Sequence, residues 1–226
     1  MYIYPKPENI FYSNENKPIQ GGHYMTANQL DKIKIMPVLV LNDLDEGLKI
    51  CEALCANGLP AAEITFRTAA AEPVIREAVK RFPEMYIGAG TVLNVADLHR
   101  AVDAGAKFGV APGFNPVIVE EANKCKFNFI PGVCTPSEIE QAMMYGCKTL
   151  KFFPAEAAGG VNMLKSLIAP YRHLGVRFMP TGGVKPENVE SYLSIPEVAA
   201  VGGTWLNKND AAVIREAAEI AKKYIH

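Results

Sequence analysis

The strongest constraint on the fold is a repeated alternation of short apolar runs with longer amphipathic segments, beginning near residue 30. β-Branched, aromatic and small residues fill the short runs, whereas Ala, Glu, Lys and Leu dominate the longer segments. The first pattern is typical of buried strands and the second of helices. We therefore predict eight strands, each followed by a helix. The predicted strands are residues 33–41, 61–66, 86–92, 107–112, 127–133, 149–154, 176–183 and 199–206.

Strands that alternate with helices run parallel, because each helix carries the chain back along the sheet. Eight such units predict an α/β fold, a single (β/α)8 TIM barrel, over residues 26–226. A doubly wound open sheet is the alternative. That fold usually has fewer strands and a GxGxxG turn after the first strand, whereas the first predicted strand continues into NDLDEG.

Helix-capping residues support two of the helix assignments. Asn42 or Asp43 is suited to cap the first amphipathic segment, and Gly58 to close it. In TPSEIEQAMMYG, Thr135 precedes a proline at the first helical position, and Glu138 completes a capping box.

Composition excludes several classes of function. The net charge of the 226-residue chain is −1, so no global field attracts nucleic acid or an anionic membrane. The longest strongly apolar run, residues 35–41, is too short to span a bilayer, and the start does not resemble a signal peptide. We expect a cytoplasmic protein with no nucleic-acid or membrane partner. Residues 1–25 are predicted to be an N-terminal extension, disordered or added in cloning.

The cysteines and histidines do not predict a disulfide framework or a metal site. The five cysteines are scattered, and the four histidines are far apart in the sequence. Such cysteines are typical of reduced thiols in the cytosol, and the histidines lack the spacing of metal ligands. We predict neither a metal nor a cofactor.

Lys151 lies in the apolar run TLKFFP, where a lysine is unusual because lysine is rarely buried without compensation. In a strand, Thr149 and Phe153 share its side, and Leu150 and Phe152 take the other. Apolar walls favour a neutral amine, which is nucleophilic toward a carbonyl. Lys151 is therefore a candidate Schiff-base lysine. The alternative is a structural lysine whose amine reaches solvent.

Polar residues end the second and third predicted strands, where a barrel has its active site. Glu63 and Arg67 share a side-chain direction in AAEITFRT, and Thr91 follows the small residues GAG. Glu63 is a candidate general acid/base. Arg67 is a candidate for bidentate binding of a substrate carboxylate, and the Thr91 hydroxyl is a candidate additional hydrogen-bond donor to the substrate. A structural Glu63–Arg67 ion pair and a Thr91 that merely ends its strand remain alternatives.

Two glycine pairs end the seventh and eighth predicted strands, in PTGGV (180–184) and VGGTW (201–205). Barrels often bind phosphate with backbone N–H groups of these two loops, and glycine allows the close approach of an anion. The pairs therefore predict a phosphate site. A third pair, Gly159-Gly160, either shapes the mouth of the barrel or only starts a helix.

Together these motifs resemble the 2-keto-3-deoxy-6-phosphogluconate (KDPG) aldolases, which overlap with the 4-hydroxy-2-oxoglutarate (KHG) aldolases. The matching stretches occur in family order over about residues 30–210: LPAAEITFRT, GAGTVLN, APGFNP, IPGVCTPSEIE, LKFFPAEAAGG, PTGGV and VGGTWL. LKFFPAE followed by GG is the most specific of them. The resemblance implies a metal-free class I aldolase on a (β/α)8 barrel, a homotrimer that acts on a phosphorylated 2-oxo acid.

The resemblance also implies residue roles at the reacting end of the substrate. Lys151 would be the Schiff-base lysine and Glu63 the general acid/base. Arg67 and Thr91 would bind the pyruvyl carboxylate, and Phe153 would form a wall of the pyruvate pocket.

At the other end of the substrate, Thr181 resembles the threonine that tunes substrate choice. The implied phosphate site takes residues from both glycine pairs: Gly182, Gly183, Gly203 and Thr204. The chain departs from the family pattern at Thr204, where many relatives have serine, and at Ala111, which offers no hydroxyl. Both changes would affect the aldehyde end of the pocket.

Two other functions stay open from the sequence. A phosphosugar isomerase or epimerase on a similar barrel would use carboxylates and the same phosphate loops, without Lys151 as a nucleophile. A catalytically silent assembly scaffold would need none of the site residues.

Overall fold

The computed structural model describes the backbone of residues 25–225 and the side chains from residue 28 onward. The predicted extension, apart from Met25, therefore lies outside the described residues. The strands are β1 (Ile35–Leu39), β2 (Ala61–Thr65), β3 (Tyr86–Gly90), β4 (Phe108–Val110), β5 (Phe129–Ile130), β6 (Gly132–Val133), β7 (Thr149–Phe152), β8 (Arg177–Phe178) and β9 (Val201–Gly203). The helices are α1 (Met25–Ile33), α2 (Leu44–Ala56), α3 (Ala71–Arg81), α4 (Val95–Asp103), α5 (Pro116–Lys124), α6 (Pro136–Met144), α7 (Gly160–Ile168), α8 (Val189–Leu193) and α9 (Ala211–Lys222).

The strands pair in parallel, which confirms the predicted α/β class. Six of them form a sheet in the order β5-β4-β3-β2-β1-β9, and three form a second sheet in the order β6-β7-β8. Isolated parallel bridges join Phe178 to Val198 and Thr181 to Gly202. Because every strand points the same way, the carboxyl ends of neighbouring strands meet at one edge of each sheet.

The fifth predicted strand, residues 127–133, is divided at Pro131 into β5 and β6. β5 pairs with β4, and β6 pairs with β7. Proline has no N–H to donate to a sheet, and the Pro131 carbonyl accepts a hydrogen bond from Lys151 N at 2.9 Å. A Cβ on Gly132 would overlap the backbone of Pro112. Glycine is thus required where the chain passes from one sheet to the other.

Two apolar clusters lie on the two sides of the strands. The larger one packs helices such as α2 and α3 against one strand face. The smaller one consists of strand residues, residues next to β8 and β9, and one helical leucine: Leu30, Met36, Ala61, Phe108, Val110, Ile130, Met179, Ala199 and Ala200. Side chains alternate between the two faces of a strand, so the smaller cluster occupies the face away from these helices.

Helix α1 was not predicted from the sequence. Its segment MTANQLDKI has few apolar residues, yet Leu30 is fully buried in the smaller cluster. Asp31 accepts hydrogen bonds from Lys34 at 2.8 Å and from Arg177 at the start of β8 at 2.6 Å. Leu30 and the partly buried Ile33, three residues apart, attach this helix to the smaller cluster, and Asp31 attaches it to β8.

The predicted caps are confirmed. Asp43 accepts from the N–H of Glu46 at the start of α2, and Gly58, with φ 83°, follows that helix. Thr135 and Glu138 form the capping box of α6. Within residues 25–225, no helix is long and apolar enough to cross a membrane.

Candidate active site

Lys151 and Glu63 form a buried pair between β7 and β2. The amine of Lys151 donates to Glu63 Oε1 at 3.2 Å, although 88 residues separate them in the sequence. Lys151 is 5% exposed and Glu63 1%. The neighbours Leu150 and Phe152 belong to the larger apolar cluster on the opposite strand face. The structure therefore does not support the alternative of a lysine whose amine reaches solvent.

Burial of both partners distinguishes this pair from the other ion pairs of the described residues: the side chains of Lys151 and Glu63 are 7% and 1% exposed. Glu63 Oε2 is buried and has no hydrogen-bond partner among the described residues. A buried carboxylate oxygen without a partner is costly, and Oε2 of Glu197, whose Oε1 pairs with Arg172, is another in the described residues. One oxygen that faces an amine and one that is free suit a group that exchanges protons with a bound molecule.

Gly90 provides the space that Glu63 occupies. It lies opposite Thr65 in the β2–β3 register. A Cβ at position 90 would overlap Glu63 Oε1 and lie 2.7 Å from its Cγ. Because both neighbours are in paired strands, neither backbone can move away easily. Any side chain at position 90 would displace the carboxylate from Lys151.

Gly90→Ala is expected to lower kcat/KM about 100-fold, because a displacement of about 1 Å at a reacting group can cost that much. Steady-state turnover on the cognate substrate measures the loss, and circular dichroism tests the fold. Gly113→Ala is the matched control, since a Cβ at position 113 meets nothing within 4 Å. Equal activity of the two variants would contradict the assigned role of Gly90.

Phe153 lies beside the amine, as the strand parity predicts. Lys151 Nζ is 5.4 Å from the centroid of the Phe153 ring, a cation–π distance. Thr149, also predicted on this side, is 7% exposed. The amine is therefore surrounded by an aromatic ring, a carboxylate and buried backbone.

Arg67 and Thr91 form a second polar pair, at the ends of β2 and β3. Arg67 Nε donates to Thr91 Oγ1 at 3.4 Å, and Arg67 is exposed. Within the described residues, the alternative of a structural ion pair between Arg67 and Glu63 is not formed, because Glu63 faces Lys151. The remaining guanidinium N–H groups of Arg67 are available to bind a carboxylate.

The backbone of Thr91 is a signal that the sequence did not reveal. Its φ is 58°, in the left-handed region, which is a rare conformation for a β-branched residue. Such conformations cost free energy and concentrate at functional sites. Lys34 and Lys126, outside this site, also have positive φ; at Thr91 the conformation places the hydroxyl where it accepts the hydrogen bond from Arg67.

The two predicted glycine pairs lie next to each other. Thr181 and Gly202 form a parallel bridge, and Gly202 N donates to the Pro180 carbonyl at 2.8 Å. Thr181 is 5% exposed and lies so close to Gly202 that a Cβ there would overlap its hydroxyl. The loops after β8 and β9 therefore converge, as a shared anion site requires.

Backbone conformation and close contacts explain why the other positions of these pairs are glycine. Gly182 has φ 100° and Gly183 φ 79°, values that favour glycine. Gly203 lies against the ring of Trp205, where a Cβ would overlap the indole, and Thr204 is exposed. Gly159 is the N-cap of α7, so the third pair starts a helix.

Sequence reasoning missed Glu156 as a link between the strand that carries Lys151 and the first glycine loop. Glu156 N donates to the Gly182 carbonyl at 3.0 Å, and its side chain packs where a Cβ of Gly183 would lie. The carboxylate accepts a hydrogen bond from the buried hydroxyl of Tyr192 in α8. Burial, together with this bond, raises the pKa of Tyr192, so the hydroxyl remains a donor.

The cysteines take no part in this arrangement. All five are free thiols, and burial raises the pKa of Cys51 and of Cys147 to about 12. The thiolate is the nucleophilic form, so these two side chains are unreactive near neutral pH. Lys151 is the nucleophile candidate that the fold places beside a carboxylate.

Comparison with known proteins agrees with the geometry. The family model for KDPG and KHG aldolase matches residues 26–223. The 2-dehydro-3-deoxy-phosphogluconate aldolase of Haemophilus influenzae is 45% identical over 177 residues, which cover 78% of this chain and 82% of that protein.

Two solved structures are also similar. The KDPG aldolase of Zymomonas mobilis ZM4, crystallised with 3-phosphoglycerate, is 37% identical with a TM-score of 0.81, and the match covers 88% of this chain and 96% of that one. The KDPG aldolase of Legionella pneumophila, with pyruvate captured as a covalent carbinolamine, is 34% identical with a TM-score of 0.79. The match covers 87% of this chain and 96% of that one.

Fold and site together define an aldolase, a lyase of carbon–carbon bonds. The family model covers nearly all of the described residues. The chain belongs to the KDPG and KHG aldolase family.

Proposed function

We propose that the protein cleaves KDPG to pyruvate and glyceraldehyde 3-phosphate through a Schiff base on Lys151, with KHG as a second substrate that yields pyruvate and glyoxylate. The observation that carries the proposal is the 3.2 Å contact between Lys151 Nζ and Glu63 Oε1. The Lys151 amine must lose a proton before it attacks a carbonyl, and Glu63 lies within hydrogen-bond distance to accept that proton. The covalent pyruvate carbinolamine of the Legionella relative supports the same chemistry.

The proposed reaction starts with attack of the neutral Lys151 amine on the C2 carbonyl. The carbinolamine loses water to give an iminium, which draws electrons from the C3–C4 bond. Glu63, directly or through a water, takes the proton of the C4 hydroxyl as that bond breaks and the aldehyde leaves. The resulting enamine is protonated at C3, and hydrolysis of the iminium releases pyruvate and restores the amine.

The proposed substrate contacts follow from the two polar regions of the site. Arg67 and Thr91 bind the carboxylate next to the reacting ketone, and Phe153 forms the wall beside the amine. The hydrogen bond between Arg67 and Thr91 at 3.4 Å supports a joint role. Thr181, at 5% exposure, donates its N–H to the Phe152 carbonyl at 2.9 Å and directly precedes the first glycine pair, which suits a role in substrate choice.

We assign the substrate phosphate to the backbone N–H groups of the two converging glycine loops: Gly182, Gly183, Gly203 and Thr204. The bridge between Thr181 and Gly202 supports a single site built from both loops. Ala111 is buried at the end of β4 and adds no hydroxyl. The Thr204 hydroxyl is then the side-chain donor that this end of the pocket offers.

We further propose that the strands close into the (β/α)8 barrel and that residues 26–226 form the catalytic domain. Only Pro131 separates β5 from β6, which belong to different sheets, and the bridges at Val198 and Gly202 supply contacts on the other side. The protein is proposed to be a cytoplasmic homotrimer whose aldolase reaction uses no metal or other cofactor. Exposed apolar side chains support an oligomer interface: Leu93, Val117 and Met144 are 55%, 60% and 50% exposed.

A pyruvate assay coupled to lactate dehydrogenase tests the function. We expect kcat/KM for KDPG to exceed that for KHG by at least about tenfold, because each charge-assisted hydrogen bond to the phosphate is worth about 1.5–3 kcal/mol. Faster cleavage of KHG would contradict the phosphate assignment. Absence of pyruvate from both substrates would refute the aldolase proposal and leave the isomerase and the silent scaffold as candidates.

A further inference from the structure

A cluster of three metal-ligating side chains lies outside the aldolase site, on helices α4 and α5. His99 belongs to α4, Glu121 to α5, and Cys125 ends α5. His99 Nε2 lies 3.3 Å from Glu121 Oε1, and the ligand atoms of all three residues lie within 4.8 Å of one another. We propose that this cluster binds a divalent transition-metal ion, with Zn²⁺ as the best match.

The donor set is the first reason for zinc. An imidazole nitrogen, a carboxylate oxygen and a thiolate are the three kinds of ligand that zinc uses in proteins, and three protein ligands leave a fourth position for water. Magnesium and calcium prefer oxygen ligands alone. The nitrogen and sulfur donors therefore select a borderline or soft metal.

The geometry needs only a small adjustment. Zinc bonds of about 2.0–2.3 Å in a tetrahedron place neighbouring donor atoms about 3.3–3.8 Å apart. The contact between His99 and Glu121, at 3.3 Å, already meets this distance. Cys125 lies one helical turn after Glu121. A tetrahedral zinc site places sulfur about 3.5 Å from the other donors, so rotation of the partly exposed Cys125 side chain must cover at most about 1.3 Å from the 4.8 Å limit.

Glu121 carries the hydrogen bond that usually orients a ligating carboxylate. Its Oε1 faces His99, while its Oε2 accepts from Lys124 at 3.0 Å. One oxygen is thus directed toward the cluster, and the other is held by a neighbour. Metal ligands commonly have such outer partners, which fix their orientation.

The site is independent of the proposed aldolase reaction, since none of its residues contacts Lys151 or Glu63. Its expected effect is to clamp α4 to α5, because a ligand that binds only the folded state stabilises it. The sequence predicted no metal because its four histidines are far apart and lack the spacing of metal ligands. The packing of the two helices brings them together.

Cobalt titration of the untagged, chelator-treated protein tests the proposal. We expect one Co²⁺ per chain, with the thiolate-to-cobalt charge-transfer absorption of a sulfur ligand, and displacement by Zn²⁺. Cys125→Ala should abolish that absorption, and His99→Ala should weaken Zn²⁺ binding by about 10- to 100-fold or more. Cys55→Ala, at another partly exposed cysteine, should change neither.

The following results would overturn the proposed zinc site. It fails if the wild-type protein gives no charge-transfer absorption, or if Cys125→Ala retains it. It also fails if His99→Ala and Glu121→Gln bind Zn²⁺ as tightly as the wild type. Circular dichroism and pyruvate release, measured in parallel, show that each variant remains folded, and they test the aldolase function separately.

Discussion

Lys151→Met is expected to abolish turnover, with kcat reduced by a factor on the order of 10⁶, as for the loss of other covalent nucleophiles. Methionine fills the space of the lysine stem but has no amine to form the iminium. The same variant should lose covalent trapping: borohydride and pyruvate should add mass to the wild-type protein at Lys151 and to no residue of the variant. Peptide mass spectrometry locates the adduct.

Lys148→Met is the matched control. Lys148 immediately precedes β7 and is exposed, with its amine donating to the Leu174 carbonyl at 3.3 Å. It should keep full activity and full trapping. Trapping on a residue other than Lys151, or turnover by Lys151→Met, would disprove the Schiff-base assignment.

Stability must be measured beside activity, because the substitution leaves Glu63 buried without its partner. Breaking a buried ion pair in this way costs about 3–5 kcal/mol. The double variant Lys151→Met/Glu63→Gln removes the unpaired charge and should recover part of that loss. If it is folded and still inactive, loss of activity cannot be attributed to unfolding.

Glu63→Gln is expected to lower kcat about 10²- to 10⁴-fold, the usual contribution of a general acid/base. The amide has nearly the shape of the carboxylate but does not accept the proton of a C4 hydroxyl. Binding of pyruvate should change much less, because Arg67 and Thr91 are unaltered. Steady-state kinetics give kcat, and the concentration dependence of borohydride trapping gives the affinity for pyruvate.

Exchange of the pyruvate methyl protons with deuterium separates proton transfer from carbon–carbon cleavage. This exchange requires the enamine, so NMR should show it slowed in Glu63→Gln along with turnover. Glu187→Gln, at an exposed carboxylate 3.9 Å from Lys185, should behave as wild type. Normal turnover by Glu63→Gln would exclude Glu63 as the acid/base.

The alternation of strands and helices was readable from the sequence because it depends on local periodicity. The first helix and the split fifth strand were not. Leu30 and Ile33 attach α1 through the smaller cluster, and the division at Pro131 depends on which neighbouring strand each half of the segment pairs with. Both features depend on contacts between residues that are distant in sequence. Such contacts leave no repeating pattern in the local sequence from which they could be predicted.

The candidate site was predicted as a set of residues but not as a set of contacts. The sequence left Glu63 with two candidate partners, and the structure places it against Lys151 while Arg67 meets Thr91. The left-handed backbone of Thr91 and the space left by Gly90 had no signal in residue type alone. Glu156, in the turn after β7, meets Tyr192 of α8 although 36 residues separate them.

The sequence by itself determined the order of the elements, their caps, and the chemistry at the strand ends, since these follow from residue type and short-range spacing. Only the tertiary structure decided which carboxylate the buried amine faces, that the two glycine loops converge, and that a histidine, a glutamate and a cysteine meet on α4 and α5. The physical reason is that such contacts depend on how helices and strands pack. A chain of apolar and polar residues specifies that packing collectively rather than position by position.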